Sequence, residues 1–247
     1  MAGLKRLFDK SEIWFAVVWI VIYVLAFSSS DAISESIGIP KLLTVLVGLL
    51  LSGVLLGFIQ KHRLGNYFGL RKGAVKSRQL LYYLPLILIS SVNFWCGVTW
   101  KYPLWETALY ILSMCFVGFL EEVIFRGLLF RGLEKDNRTT AIWVASVTFG
   151  VGHIVNLLNG APLFDTLLQL VYACAVGFCY TAIFCVSGSI LPCILSHIFV
   201  NSTSAFGVEP TGVGAVLIAL IQTALGFGYG LWLLKKANTS CRTNTPQ

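Results

Sequence analysis

Residues Ala108–Arg131 read ALYILSMCFVGFLEEVIFRGLLFR. The stretch is almost wholly apolar, with Glu121, Glu122 and Arg126 as the charged residues within it and Arg131 at its end. A helix needs about 20 mostly apolar residues to cross the hydrocarbon of a bilayer, and this run supplies them. An ionisable side chain at that depth costs several kcal/mol, so each one is by default a functional candidate. The reading is therefore a membrane helix with an acid pair inside it.

The rest of the chain agrees. Of 247 residues, 57% are hydrophobic and 12% are charged, against about 25% charged in soluble domains. Mean hydropathy is +0.80. A soluble domain cannot hide that much apolar surface, so lipid must solvate most of it. The expected fold class is all-α: a single polytopic helix bundle over residues 1–247, in a cell membrane, with no separate soluble domain.

Eight apolar runs of membrane-crossing length stand near 12–29, 41–59, 80–99, 104–125, 139–158, 164–186, 189–207 and 211–234. The first follows Lys5, Arg6 and Lys10 and has the look of a signal peptide. It is too long for the apolar region of one and has a poor cleavage site, so it reads as a retained helix. With the amino terminus inside, sixteen of the eighteen Lys and Arg residues fall on the inner side, and only Lys41 and Lys101 fall outside. That asymmetry predicts an even number of spans with both termini cytoplasmic. It also argues against nucleic acid as a partner, despite the net charge of +7, because the basic residues cap apolar runs rather than forming a phosphate-binding face. The basic segment Lys61–Arg78, with Tyr67, Phe68 and Leu70, is expected either to lie on the anionic inner surface or to be a solvated loop. The seven cysteines include no CxxC pair and read as small buried apolar residues. There is no internal repeat and no pair of broken helices.

Polar groups at membrane depth fall on three runs. Glu122 and Arg126 are four apart on one helical face, so an ion pair there lowers their burial cost. Glu121 lies about 100° further round the helix and is left to face the bundle interior, where a carboxylate can serve as a base. Phe149–His153 reads FGVGH, and Gly150 and Gly152 are expected to let a neighbouring helix approach. His197–Asn201 reads HIFVN, placing two polar groups on one face. At about 1.5 Å rise per residue all these groups lie roughly 12–22 Å from the inner surface, at one level and within reach of the cytoplasmic face. Taken singly, each has a structural explanation: a hydrogen-bonded histidine, an ion pair, an interhelical amide. Two acids, two histidines and an amide at matching depth exceed what packing requires.

This set can hydrolyse an amide without a covalent nucleophile; no GxSxG is present, and Ser196 points off the face of His197. In one reading Glu121 is the general base, His153 orients the water, and His197 with Asn201 donates to the oxyanion. In the other, Glu121, His153 and His197 hold a hydrolytic zinc. The HExxH spacing is absent.

Glu121–Arg126 fits EExxxR, Phe149–His153 fits FxxxH, and His197–Asn201 fits HxxxN. Three such motifs in this order, on separate apolar spans over about residues 80–205, resemble the CAAX protease and bacteriocin-processing (CPBP, or Abi) family of intramembrane endopeptidases. That family includes the type II CAAX prenyl proteases. The resemblance implies an eight-helix core with Glu121 as base, His153 positioning water, His197 and Asn201 as the oxyanion site, and Glu122 and Arg126 in support. It favours a cofactor-free, glutamate-dependent mechanism over zinc. It implies a peptide or protein substrate, possible prenylation of it, and, from the short loops, a bacterial inner membrane. Two other classes stay open: a non-enzymatic immunity or scaffold protein that keeps the motifs, and a proton-coupled transporter using the same groups as a relay.

Overall fold

A computed structural model describes residues 2–71 and 83–242, with side chains for 3–71 and 83–236. The elements are helical: α1 (Ala2–Lys10), α2 (Glu12–Ser36), α3 (Leu42–Lys61), α4 (Leu84–Ser90), α5 (Leu104–Glu122), α6 (Arg131–Glu134), α7 (Arg138–Gly152), α8 (Val155–Leu158), α9 (Leu163–Ser187), α10 (Leu191–Thr203) and α11 (Gly212–Arg242). Six helical segments are long and apolar enough to cross a membrane. They are α2, α3, α5 continued through α6, α7 with α8, α9, and α11 up to Lys236.

The other two expected spans take shorter forms. The run placed at 80–99, whose first residues 80–82 lie outside the described residues, becomes the seven-residue α4 and a 3₁₀ turn, Val92–Phe94. Side chains there compete with the helix for backbone partners. Ser91 donates to the Leu88 carbonyl, and Asn93 donates to the Val200 carbonyl at 2.5 Å. Gly97, at φ 114°, then turns the chain in a region L-residues avoid. The run placed at 189–207 becomes the 13-residue α10, about 20 Å long.

Side-chain bonds define two ends of the bundle. At one end Glu12, at the start of α2, accepts from Tyr67 and from Lys135, each at 2.6 Å. Burial and the Glu12 carboxylate push the Tyr67 hydroxyl up to about 12. Arg71 donates to the Gly188 carbonyl and Arg138 to that of Cys185. At the other end Lys41 pairs with Asp31 and Lys101 with Glu209, and Thr99 bonds back to Phe206. The basic segment after α3 neither lies on a surface nor is simply solvated over its described part, since Phe68 is fully buried against Phe8. Lys72, Lys76 and Arg78 lie outside the described residues. Of the cysteines, Cys179 and Cys193 are buried, Cys96 is exposed, and Cys115, Cys174 and Cys185 are half-buried.

The acid-bearing helix changes geometry at its centre. It is α-helical to Glu122 and then π-helical over Val123–Phe130, with all eight of those residues buried. Such i→i+5 stretches are rare and gather at functional sites.

Candidate active site

The geometry begins with the adjacent acids. Glu122 is fully buried and its Oε1 accepts two charge-assisted contacts at 2.9 Å, from Arg126 Nη1 and from His197 Nδ1. Arg126 is also fully buried. Its Nη2 donates to the Gly177 carbonyl at 3.1 Å, and its guanidinium lies 4.3 Å from the centre of the Phe149 ring. A hydrogen-bonded pair stacked on an aromatic face is how a charge survives in an apolar interior.

Glu121 points elsewhere. Its Oε1 accepts the Tyr23 hydroxyl at 2.6 Å, and its Oε2 stands 3.7 Å from His197 Nε2. His197 therefore sits between the two carboxylates with one ring nitrogen towards each. Because Nδ1 faces the doubly contacted Glu122 oxygen, it is the protonated nitrogen. The Nε2 of His197 is then the ring atom left facing Glu121.

His153 is not mid-helix as the periodicity suggested. It caps the C-terminus of α7, where the chain turns before α8. Its Nδ1 lies 3.2 Å from the Phe149 carbonyl, which only a protonated nitrogen can satisfy, so Nε2 is the ring atom free of that contact. Gly150 does admit a neighbour: a Cβ there would lie 2.2 Å from Cys174 Sγ and 2.6 Å from its backbone nitrogen. Gly152 does not serve that purpose, since a Cβ would meet nothing within 4 Å. It borders a cavity instead.

That cavity measures about 420 Å³ and is lined by Glu121, His153 and Asn201 together with Tyr23, within the roughly 300–1,000 Å³ of ligand pockets. His197 lies behind Glu121 rather than on the wall. Ser196 Oγ is engaged by Ser90 and Tyr180, both at 2.8 Å, and does not line the cavity. The three donors named for zinc do not converge: among the described residues no group of three His, Cys, Asp or Glu is placed to hold a metal.

The cavity opens away from the basic end of the bundle. Its walls pass from Phe125 and Phe149 at mid-depth to Asp31, Lys41, Asn93, Asn159 and Ser204, all at the end away from Glu12, Arg71 and Arg138. Towards the basic end the space is filled: Leu128, Phe130, Phe184 and Phe68 are each at most 1% exposed. Sequence reasoning missed Tyr23 as a partner of Glu121. A tyrosine mid-way along an apolar helix was the only signal.

The helices and the acid–histidine site define an integral membrane protein with a hydrolase-like constellation at its centre. Residues 103–203, which carry all three motifs, match the family model described as type II CAAX prenyl endopeptidase Rce1-like. The motif-bearing part of the chain is thus similar to that family over residues 103–203. No curated protein and no solved structure matches the chain.

Proposed function

We propose that this chain is an intramembrane endopeptidase that hydrolyses a peptide bond with water activated by Glu121. The observation that carries the reading is that Glu121, His153 and Asn201 line one cavity while Glu122, Arg126 and His197 are locked together behind it. Water entering the cavity meets the Glu121 carboxylate as base, and His153 Nε2 orients it. The attacked carbonyl becomes an oxyanion, which the Asn201 amide stabilises; its side chain makes no hydrogen bond within the described residues. His197 contributes through Nε2, beside Glu121, with Glu122 and Arg126 fixing its ring from behind. The proton held by Glu121 then passes to the leaving amine.

The family model supports a protease. The glutamate-dependent chemistry, the eight-pass topology with both termini cytoplasmic, and a bacterial inner membrane are part of this proposal, as is a single domain over 1–247. Contacts at the two ends of the bundle are consistent with eight passes, since α4 and α10 run side by side from the same end. Zinc held by Glu121, His153 and His197 is the competing mechanism, and a non-enzymatic immunity or scaffold role the competing function.

One comparison separates them: peptide cleavage by the purified protein with and without a chelator, beside Glu121→Ala. Glutamate chemistry expects cleavage that survives the chelator and is lost in Glu121→Ala, with the variant still folded in detergent. Loss with chelator alone moves the mechanism to metal. Full activity in Glu121→Ala sinks the reading, and an inactive protein whose Glu121→Ala form still binds its partner points to a scaffold.

A further inference from the structure

We infer that the Glu121 cavity is entered from the extracytoplasmic side, so that the substrate is a peptide segment exposed outside the cytoplasm rather than a tail presented from within it. The inference deepens the endopeptidase reading and rests on it for the word substrate. The direction of access stands on separate observations.

The first is where the cavity opens. Its outer walls are Asp31 at the end of α2, Lys41 before α3, Asn93 after α4, Asn159 after α8 and Ser204 after α10. These are all chain turns at the same end of the bundle, the end tied together by Lys41 with Asp31 and by Lys101 with Glu209. Among the described residues, none at the opposite end lines the cavity.

The second is that the described residues of the opposite end are packed together. Below Glu122 the π-helical segment Val123–Phe130 is buried throughout. Phe68 is folded in against it, so that a Cβ on Gly127 would lie 3.4 Å from Phe68 Cβ. Phe130 packs edge-on to Phe184, and Arg131 lies over the same Phe184 ring at 4.5 Å. A peptide coming from that end would have to unpack this layer to reach Glu121.

The third is charge. The packed end carries Lys5, Arg6, Lys10, Lys61, Arg63, Arg71, Arg131, Lys135 and Arg138, whereas the open end carries Lys41 and Lys101. Lysine and arginine bias of this size in short loops sets the basic end on the cytoplasmic side. The open end then faces out. The chemistry of the mouth fits a peptide backbone: amides of Asn93, Asn156, Asn159 and Gln169 surround it, offering both donors and acceptors to an extended chain. Lys41 and Asp31 neutralise each other there, so the mouth selects no strong charge.

Accessibility in intact cells tests this without requiring catalysis. In a full-length chain with its native cysteines replaced by serine, Ser28→Cys within the cavity, Asn159→Cys at the mouth and Lys61→Cys at the basic end are each exposed to a membrane-impermeant maleimide. Labelling of Ser28→Cys and Asn159→Cys in intact cells, with Lys61→Cys labelled only in inverted vesicles, supports outward access. Labelling of Ser28→Cys from the Lys61 side alone overturns it, as does labelling of Lys61→Cys in intact cells. The same chains retain Glu121. An outward pattern in a chain that cleaves no peptide removes the endopeptidase reading and leaves the access standing, and cleavage with the inward pattern does the reverse.

Discussion

Glu121 and Glu122 are neighbours in the chain with unlike surroundings, and that difference assigns their work. Glu122 has no exposure and holds an arginine and a histidine at 2.9 Å. Breaking a buried pair by removing one partner costs about 3–5 kcal/mol, because a charge is left uncompensated. Glu122→Ala is expected to lower the thermal midpoint in detergent sharply, and Arg126→Ala to do the same; an unchanged midpoint in both would show that the pair is not structural. Glu121 borders open space, so Glu121→Ala should leave that midpoint nearly intact while removing cleavage. Tyr23 donates to Glu121 from α2 at 2.6 Å. A hydrogen bond to a charged group is worth about 1.5–3 kcal/mol, so Tyr23→Phe is expected to lower kcat by roughly tenfold or more with a smaller change in KM. Asn201→Ala removes an oxyanion donor and should cost about 10²–10³ in kcat. Steady-state kinetics on the purified variants checks both.

At the scale of elements, the site depends on how closely α7 approaches α9. Gly150 touches Cys174 so tightly that any side chain would have to move backbone, and His153 follows one turn later at the helix end. Gly150→Ala is therefore expected to reduce both stability and cleavage, while Gly152→Ala keeps the wild-type thermal midpoint because a Cβ there meets nothing. Equal effects of the two substitutions would contradict this account of the α7–α9 contact. The π-helical stretch has a related role. An i→i+5 segment after Glu122 re-phases the helix, and Arg126 within it reaches both Glu122 and the Gly177 carbonyl of α9. Spacing alone anticipated the Glu122–Arg126 pair. It did not show the local widening, since π turns have no simple residue pattern.

Across the whole molecule, the site reaches beyond the segment that resembles CAAX proteases. Residues 103–203 match the family, yet Tyr23, Asp31 and Lys41 on one wall and Asn93 on another come from outside it. A fragment of 103–203 alone is expected to show no cleavage, because it lacks the α2 wall that holds Glu121 in place. Activity of the fragment equal to that of the full chain would show that α2 is dispensable. The two ends of the bundle are equally a property of the whole: one is packed with aromatic rings around Phe68 and Phe184, the other is open beside Asn159 and Ser204.

Sequence by itself determined the membrane class of the protein and singled out the side chains that the proposal places at its site. Apolar runs of membrane length have few ways to be solvated, and Glu121, Glu122, His153, His197 and Asn201 stand out because ionisable and amide groups are costly at that depth. Tertiary structure decided what each group faces. Only packing shows that His197 lies between the two carboxylates, that His153 sits at a helix end, that Tyr23 holds Glu121, and that two expected spans shorten to α4 and α10. Periodicity reports which residues share a face, but it does not say which helix covers that face or where the covering stops. For the same reason charge asymmetry speaks to which end is basic but not to where the cavity opens, which depends on which end the side chains fill.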